Sequence, residues 1–465
     1  MLKTAICIER YNSFKQEKCM KEIMKSTSIG TFAGNEYENA CGFLGIPYAR
    51  AERFAYSELI HSYEGVFDAR KMGNSCPQYR QFHPHLDVPE RLFYQREFRE
   101  GIEFHYDEDC LNLNIYTPKD ASGCPVILYF HGGGFNSGSN NEEPFRGYEL
   151  AERGIITVFA NYRVGVLGYF SHEEIEKRYH RNGNFGLDDQ LQAVRWVRKH
   201  IHEFGGNSDN ITLMGQSAGA ISIQYLCLNN DLEGLFDKAV MMSGAGMFPK
   251  FALPRRAEET YPYWQELMEL AGCHTFEEFR DCDLSTIHDA YEEIKKRRSD
   301  STYNMMPVVD GLLLKDEAER LFRHPLKIDY MIGYTGSDLY APVMAYIGNE
   351  YARKNSAYVY YFDIEAPGDD NGAFHSSDLR YMFGRLETSW RKYDDRDREV
   401  SEQMMDYLAE FVKKGDPNGT GLPVWDKTNS HQNKVLCFTK KDTKMKNPDY
   451  VKPAFNMVTK GDPKA

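Results

Sequence analysis

Ser217 sits between two glycines, in Gly215-Gln216-Ser217-Ala218-Gly219. The apolar run Ile211-Thr212-Leu213-Met214 precedes it and the helix-prone stretch from Ala220 to Leu226 follows. A strand that turns sharply into a helix projects the residue at the turn, and the flanking glycines leave room for the backbone to double back beside the serine. Strain of this kind is usually kept for chemistry, and the chemistry of an exposed serine hydroxyl is nucleophilic attack. A second glycine cluster, His131-Gly132-Gly133-Gly134-Phe135, follows the apolar run Pro125 to Phe130. Three consecutive glycines let backbone N–H groups turn into a cavity, where with the N–H of Ala218 they can hold the negative oxygen of a tetrahedral intermediate. Either pattern alone reads equally well as a flexible loop in a chain with 37 glycines; together, each after a strand, they read as a site.

These motifs need a scaffold. Apolar runs at Val126 to Phe130, Ile155 to Asn161, Ile211 to Met214, Ala239 to Met242, Tyr330 to Gly333 and Val359 to Phe362 alternate with helical patterns. That alternation predicts an α/β fold with a largely parallel sheet covered by helices on both faces. The β-prone segments Thr27 to Phe32 and Cys41 to Ile46 leave no room for a crossover helix between them, so antiparallel strands are expected at the N-terminal edge. No linker, repeat or low-complexity tract divides the 465 residues, which favours one domain over residues 1–465.

The formal charge of −13 argues against nucleic acid or an anionic membrane surface as partner. No apolar stretch is long enough to span a bilayer, and the first residues lack the apolar core of a secretion signal. Ten cysteines are too sparse for a disulfide scaffold, and none has metal-ligand spacing, so a cytoplasmic, bacterial-type protein with reduced thiols is expected. His83-Pro84-His85 could ligate a metal, but no Cys or carboxylate pattern stands beside it, so it reads as a surface loop and no metal or cofactor is expected.

Several separated motifs resemble the type B carboxylesterases and lipases of the α/β-hydrolase fold, which include the cholinesterases. They are Phe43 to Ala49, Glu108 to Tyr116, the His131 loop, Asn161-Tyr162-Arg163-Val164-Gly165, Gly183 to Gln190, Phe204-Gly205-Gly206-Asn207, Gly415 to Gly419 and Leu422 to Trp425. The resemblance implies Ser217 as nucleophile, with Gly133, Gly134 and Ala218 as oxyanion-hole donors. Gly372-Ala373-Phe374-His375-Ser376-Ser377-Asp378-Leu379 is similar to the family's histidine motif and makes His375 the base. The acid then falls in Gly333 to Asp338, at Asp338, although Asp363, Glu365, Asp369 and Asp370 also lie near His375 in sequence. An imidazole, with an ordinary pKa of about 6.5, can take the serine proton near neutrality, and a carboxylate fixes its tautomer.

The chain departs from the family pattern at several places. The acid is Asp, followed by Leu339, where the family mostly has Glu and Gly. Only 37 residues separate Asp338 from His375, which implies a shortened cap and a wider, wetter entrance; cap insertions are expected around 245–305 and 339–357. Gln216 stands where many relatives carry Glu. The segment Cys76 to Cys110 has seven tyrosines and phenylalanines but no tryptophan, which disfavours a choline ester. Cys76 and Cys110 match a pair bridged in secreted relatives; in a reducing cytoplasm they would stay free thiols. The resemblance also implies structural ion pairs Arg53–Glu108 and Arg163–Asp189. Phe135, Gln216, Met247 and Phe248 are candidate pocket residues. The expected activity is hydrolysis of a small neutral carboxylic ester through an acyl-serine, by a monomer or weak homo-oligomer. The rivals are a binding or adhesion protein on the same fold, and an interfacial lipase.

Overall fold

Val126, Leu128 and Phe130 belong to one buried apolar cluster, while Ile127 and Tyr129 between them belong to another. Side chains of a strand alternate between the two faces of its sheet, so the sheet is covered on both sides. Ala357, Val359 and Tyr361 against Tyr358, Tyr360 and Phe362 show the same division. The computed structural model describes residues 21–244, 254–316, 318–321, 323–338, 351, 357–428 and 434–446.

The main strands are β1 (Lys21–Thr27), β2 (Gly30–Glu36), β3 (Cys41–Pro47), β4 (Asn112–Thr117), β5 (Cys124–Phe130), β6 (Ile156–Ala160), β7 (Gly206–Gln216), β8 (Lys238–Met242), β9 (Asp329–Thr335), β10 (Ala357–Asp363), β11 (Val435–Thr439) and β12 (Thr443–Lys446). They form a single sheet of 13 strands in the order β1-β2-β3-β4-β6-β5-β7-β8-β9-β10-β11-β12, with the short strand Val66–Asp68 alongside β2. From β6 to β11 every neighbouring pair is parallel. The N-terminal strands pair antiparallel, as expected, and β12 adds an antiparallel strand at the opposite edge. One segment is corrected: Thr27 to Phe32 is not one strand but straddles the turn of the β1–β2 hairpin, with Thr27 paired to Gly30. β-Branched Thr27 and Thr31 flank that turn and disguise it.

Helices α1 (Phe185–His200) and α2 (Ala218–Cys227) contribute Leu187, Leu191, Val194, Ile223 and Leu226 to one face; α5 (Asp395–Lys414) contributes Val400, Met404, Leu408 and Phe411 to the other. Burying each such side chain contributes about 1.5–3 kcal/mol. Between β8 and β9, α3 (Ala257–Leu270) and α4 (Leu284–Arg297) enclose a third cluster, in which Trp264, Leu267, Phe279 and Ile287 pack with Phe54, Phe170 and Phe185. These helices fall within the first expected cap insertion. Of the second, residues 339–350 and 352–356 lie outside the described residues.

Two ion pairs tie loops to this frame. Arg163 grips Asp189, in the first turns of α1, through Nε and Nη2 at 2.8 Å each, and its Nη1 donates to Ala55 at 2.7 Å. Their side chains are 5% and 0% exposed, so removal of one partner strands a charge out of reach of water. Arg53 donates to Glu108 at 3.0 Å and to the carbonyl of Arg280 at 2.8 Å, linking the N-terminal loops to the cap helices. Arg163→Met is expected to lower the free energy of unfolding by about 3–5 kcal/mol in urea titrations, and Arg163→Met/Asp189→Leu to recover much of it. A single-variant loss under about 1 kcal/mol, the size typical of a solvated pair, contradicts this role.

Candidate active site

β7 is the central strand of the parallel region, flanked by β5 and β8. It ends at Gln216, and α2 begins at Ala218, so Ser217 alone makes the turn. Its backbone lies at φ 54° and ψ −122°, a region that L-residues avoid at about 1–3 kcal/mol. The N–H of Ser217 donates to the carbonyl of Met242 at 2.8 Å, which pins the turn to the end of β8. α2 approaches so closely that a Cβ on Gly219 would stand 2.1 Å from the carbonyl oxygen of Phe130, so only glycine fits there. That contact also brings the loop after β5 against the serine.

In that loop Gly133 has φ 119°, and a Cβ on it would fall 2.0 Å from the carbonyl oxygen of Ser137. His131 is buried; its Nδ1 donates to the carbonyl of Gly132 at 2.9 Å and its ring stacks on Tyr162 at 4.4 Å. Burial pushes its pKa down to about 4, so it is neutral near neutrality and shapes the loop. Among the described residues, no acceptor in the chain meets the N–H groups of Gly133, Gly134 or Ala218.

The acid and the imidazole come from the ends of the next strands. The N–H of Ser337 donates to the carbonyl of Ala373 at 2.9 Å, and that of Gly336 to Phe362 at 2.8 Å, joining the loops after β9 and β10. Across this junction His375 Nδ1 lies 2.6 Å from Asp338 Oδ2, with the carboxylate side chain 1% exposed and the imidazole 36%. Asp369, a sequence alternative, is held instead by Arg391 at 2.7 Å. With its Nδ1 proton bonded to Asp338, His375 carries a lone pair on Nε2. The side-chain amide of Gln216 donates to that atom at 3.0 Å.

Ser217, Gln216, His375 and Gly132 to Gly134 line one cavity of about 510 Å³, together with Arg80, Glu90, Arg91, Phe93, Tyr94, Phe98, Glu142, Phe145, Ser376 and Leu379. Phe135 is corrected: it does not line this space but is buried against Tyr169 and Ala218, supporting the turn from behind. Met247 and Phe248 lie outside the described residues. The free-thiol expectation for Cys76 and Cys110 is also corrected. The two are joined in a disulfide with Cα atoms 5.0 Å apart, closing the loop that carries Arg80 to Phe98 into the cavity wall. His83 and His85 stand with Glu292, ligand atoms within 4.8 Å of one another, but Glu292 already accepts from Tyr79 and faces Lys295 at 3.6 Å.

Sequence reasoning missed the groups that hold the site's walls together. Glu97 is buried and accepts from Trp390 at 2.8 Å and Arg391 at 2.9 Å; Glu143 accepts from Arg380 at 2.6 Å and Arg385 at 3.2 Å. These bonds fasten the disulfide loop and the glycine loop to the segment after His375. Asp378 belongs to the histidine motif. It is fully buried, accepts from the Tyr360 hydroxyl at 2.7 Å, and its Oδ1 has no hydrogen-bond partner among the described residues.

The carboxylesterase family model matches residues 21–344 and 337–455. The chain belongs to the carboxylesterase family. It is similar to carboxylesterase 4A of Bos taurus, 26% identical over 89% of this chain and 90% of that protein, and to carboxylesterase 5A of Felis catus, 30% identical over 82% and 83%. Its fold is that of a PNB esterase, with a TM-score of 0.80 at 22% identity over 94% of this chain and 99% of the other. These findings agree with the α/β-hydrolase fold expected from the sequence.

Burial pushes the Asp378 pKa up to about 6 from an ordinary 3.8, so the folded protein binds this proton more tightly than the unfolded chain. The resulting cost is absent below about pH 4 and complete above about pH 6, where it reaches about 3 kcal/mol. Asp378→Asn, which keeps an acceptor for Tyr360, is therefore expected to gain stability relative to the parent as pH rises from about 4 to 7. A stability difference that stays constant across that range contradicts the assignment.

Proposed function

We propose that the chain hydrolyses small neutral carboxylic esters as a serine esterase. The observation that carries this reading is the 2.6 Å contact of a buried Asp338 with His375, which lines one cavity with Ser217 and the glycine loop. His375 Nε2 takes the proton of Ser217 Oγ as the oxygen bonds to the ester carbonyl carbon, and the carbonyl π electrons move onto its oxygen. The N–H groups of Gly133, Gly134 and Ala218 hold that negative charge. Collapse of the intermediate breaks the bond to the alcohol oxygen, which leaves with the proton from His375. Water then attacks the acyl-serine, gives its proton to His375, and the second collapse returns that proton to Ser217 as the acid departs. Gln216 must yield the Nε2 lone pair to Ser217 for the first step, since both compete for one acceptor.

Ser217→Ala is expected to abolish hydrolysis of p-nitrophenyl acetate above background while leaving thermal unfolding almost unchanged, because the alanine has only to keep the same turn. Activity near that of the parent removes Ser217 from its role.

A further inference from the structure

Two guanidinium groups in the cavity wall make no hydrogen bond to the chain among the described residues. Nε and Nη1 of Arg80 are shielded from solvent and have no partner. The group lies over the ring of Tyr94, 3.3 Å from its centroid, while the Tyr94 hydroxyl donates to Glu142 instead. Arg91 lies over the face of Tyr79 at 5.4 Å, with the charge of Glu292 in its surroundings. Burial and the neighbouring charge of Arg80 both hold its pKa below the usual arginine range, so the two cations are close enough to repel.

A guanidinium offers five donors in a planar fork, and in protein interiors such donors are normally filled by carboxylate, phosphate or carbonyl oxygens. Three buried arginines of this chain obey that rule: Arg163 has Asp189, Arg391 has Glu97 and Asp369, and Arg380 has Glu143, whereas buried Arg99 donates to the Tyr106 hydroxyl. The cavity's own carboxylates leave these two donor sets unfilled. Glu142 accepts a hydrogen bond from the Tyr94 hydroxyl and, through burial, is held above the ordinary carboxylate range, and Glu90 is exposed. Gln216, beside the serine, adds no negative charge that would repel an anion.

We propose that Arg80 and Arg91 form an anion subsite, which extends the substrates of the Ser217 site from neutral esters to esters carrying a free carboxylate. This rests on the serine esterase reading. Both arginines and Ser217 line the cavity of about 510 Å³, so one molecule can place its ester at the serine and its carboxylate against the two cations. The ring of Tyr94 keeps the Arg80 plane in place before substrate arrives, which lowers the ordering cost of binding.

The test compares monomethyl adipate with methyl heptanoate, followed by methanol release. In Arg80→Met and in Arg91→Met the ratio of kcat/KM for the charged over the uncharged ester is expected to fall about twentyfold, with partial recovery in Arg80→Lys. A ratio unchanged in both Met variants overturns the subsite. Calorimetric titration of monomethyl adipate into Ser217→Ala, with and without Arg80→Met, reads the same subsite without catalysis. Weaker binding in the double variant supports it, and equal binding, or none in either, overturns it. A parent protein that hydrolyses neither ester defeats the esterase reading alone, because the calorimetry still decides the subsite.

Discussion

A serine backbone held at φ 54° and ψ −122° is the constraint on which the rest of this structure depends. Such a conformation costs about 1–3 kcal/mol and persists only where its surroundings over-determine it. Here β7 is locked between two parallel neighbours, the Ser217 N–H is spent on β8, and α2 packs too tightly against the end of β5 for any side chain at Gly219. The same close contact sets the glycine loop beside the serine. One local strain thus fixes both the nucleophile and the donors that would face its product oxygen.

The second requirement is that loops from β9 and β10 meet the first two at one point. Parallel strands bring their carboxyl ends to the same edge, where sites on open α/β sheets form. Backbone bonds from Ser337 to Ala373 and from Gly336 to Phe362 then bring Asp338 to His375. Around them, the Glu97 and Glu143 networks fix the disulfide loop and the segment after His375 as one wall. Glu97 and its arginine partners are buried and paired, so losing any one partner leaves the others with an uncompensated desolvation cost.

How much of this was legible in the sequence follows from how local each feature is. The serine turn and the glycine loop leave marks within a few residues because steric demands act on neighbours. The parallel strands are legible because burial on both faces makes continuous apolar runs, whereas the β1–β2 turn is hidden by flanking threonines. Asp338 and His375 became legible only through resemblance to a family, since nothing near Asp338 distinguishes it from other loop acids. Glu97 with Arg391, and Glu143 with Arg380, join positions hundreds of residues apart and leave no local trace. Arg80 reads as one more surface charge until the fold places it, without a hydrogen-bonded partner among the described residues, in the wall of the cavity that Ser217 also lines.

The central claim is that Asp338 and His375 act together to activate Ser217. The rate of covalent labelling by a fluorophosphonate, with the modified peptide mapped by mass spectrometry, measures this most directly. The account predicts a single adduct on Ser217, with the labelling rate falling at least about a hundredfold in His375→Ala and in Asp338→Asn while both variants remain folded. An adduct on another residue, or labelling of Ser217 at the parent rate in the His375→Ala protein, would contradict it.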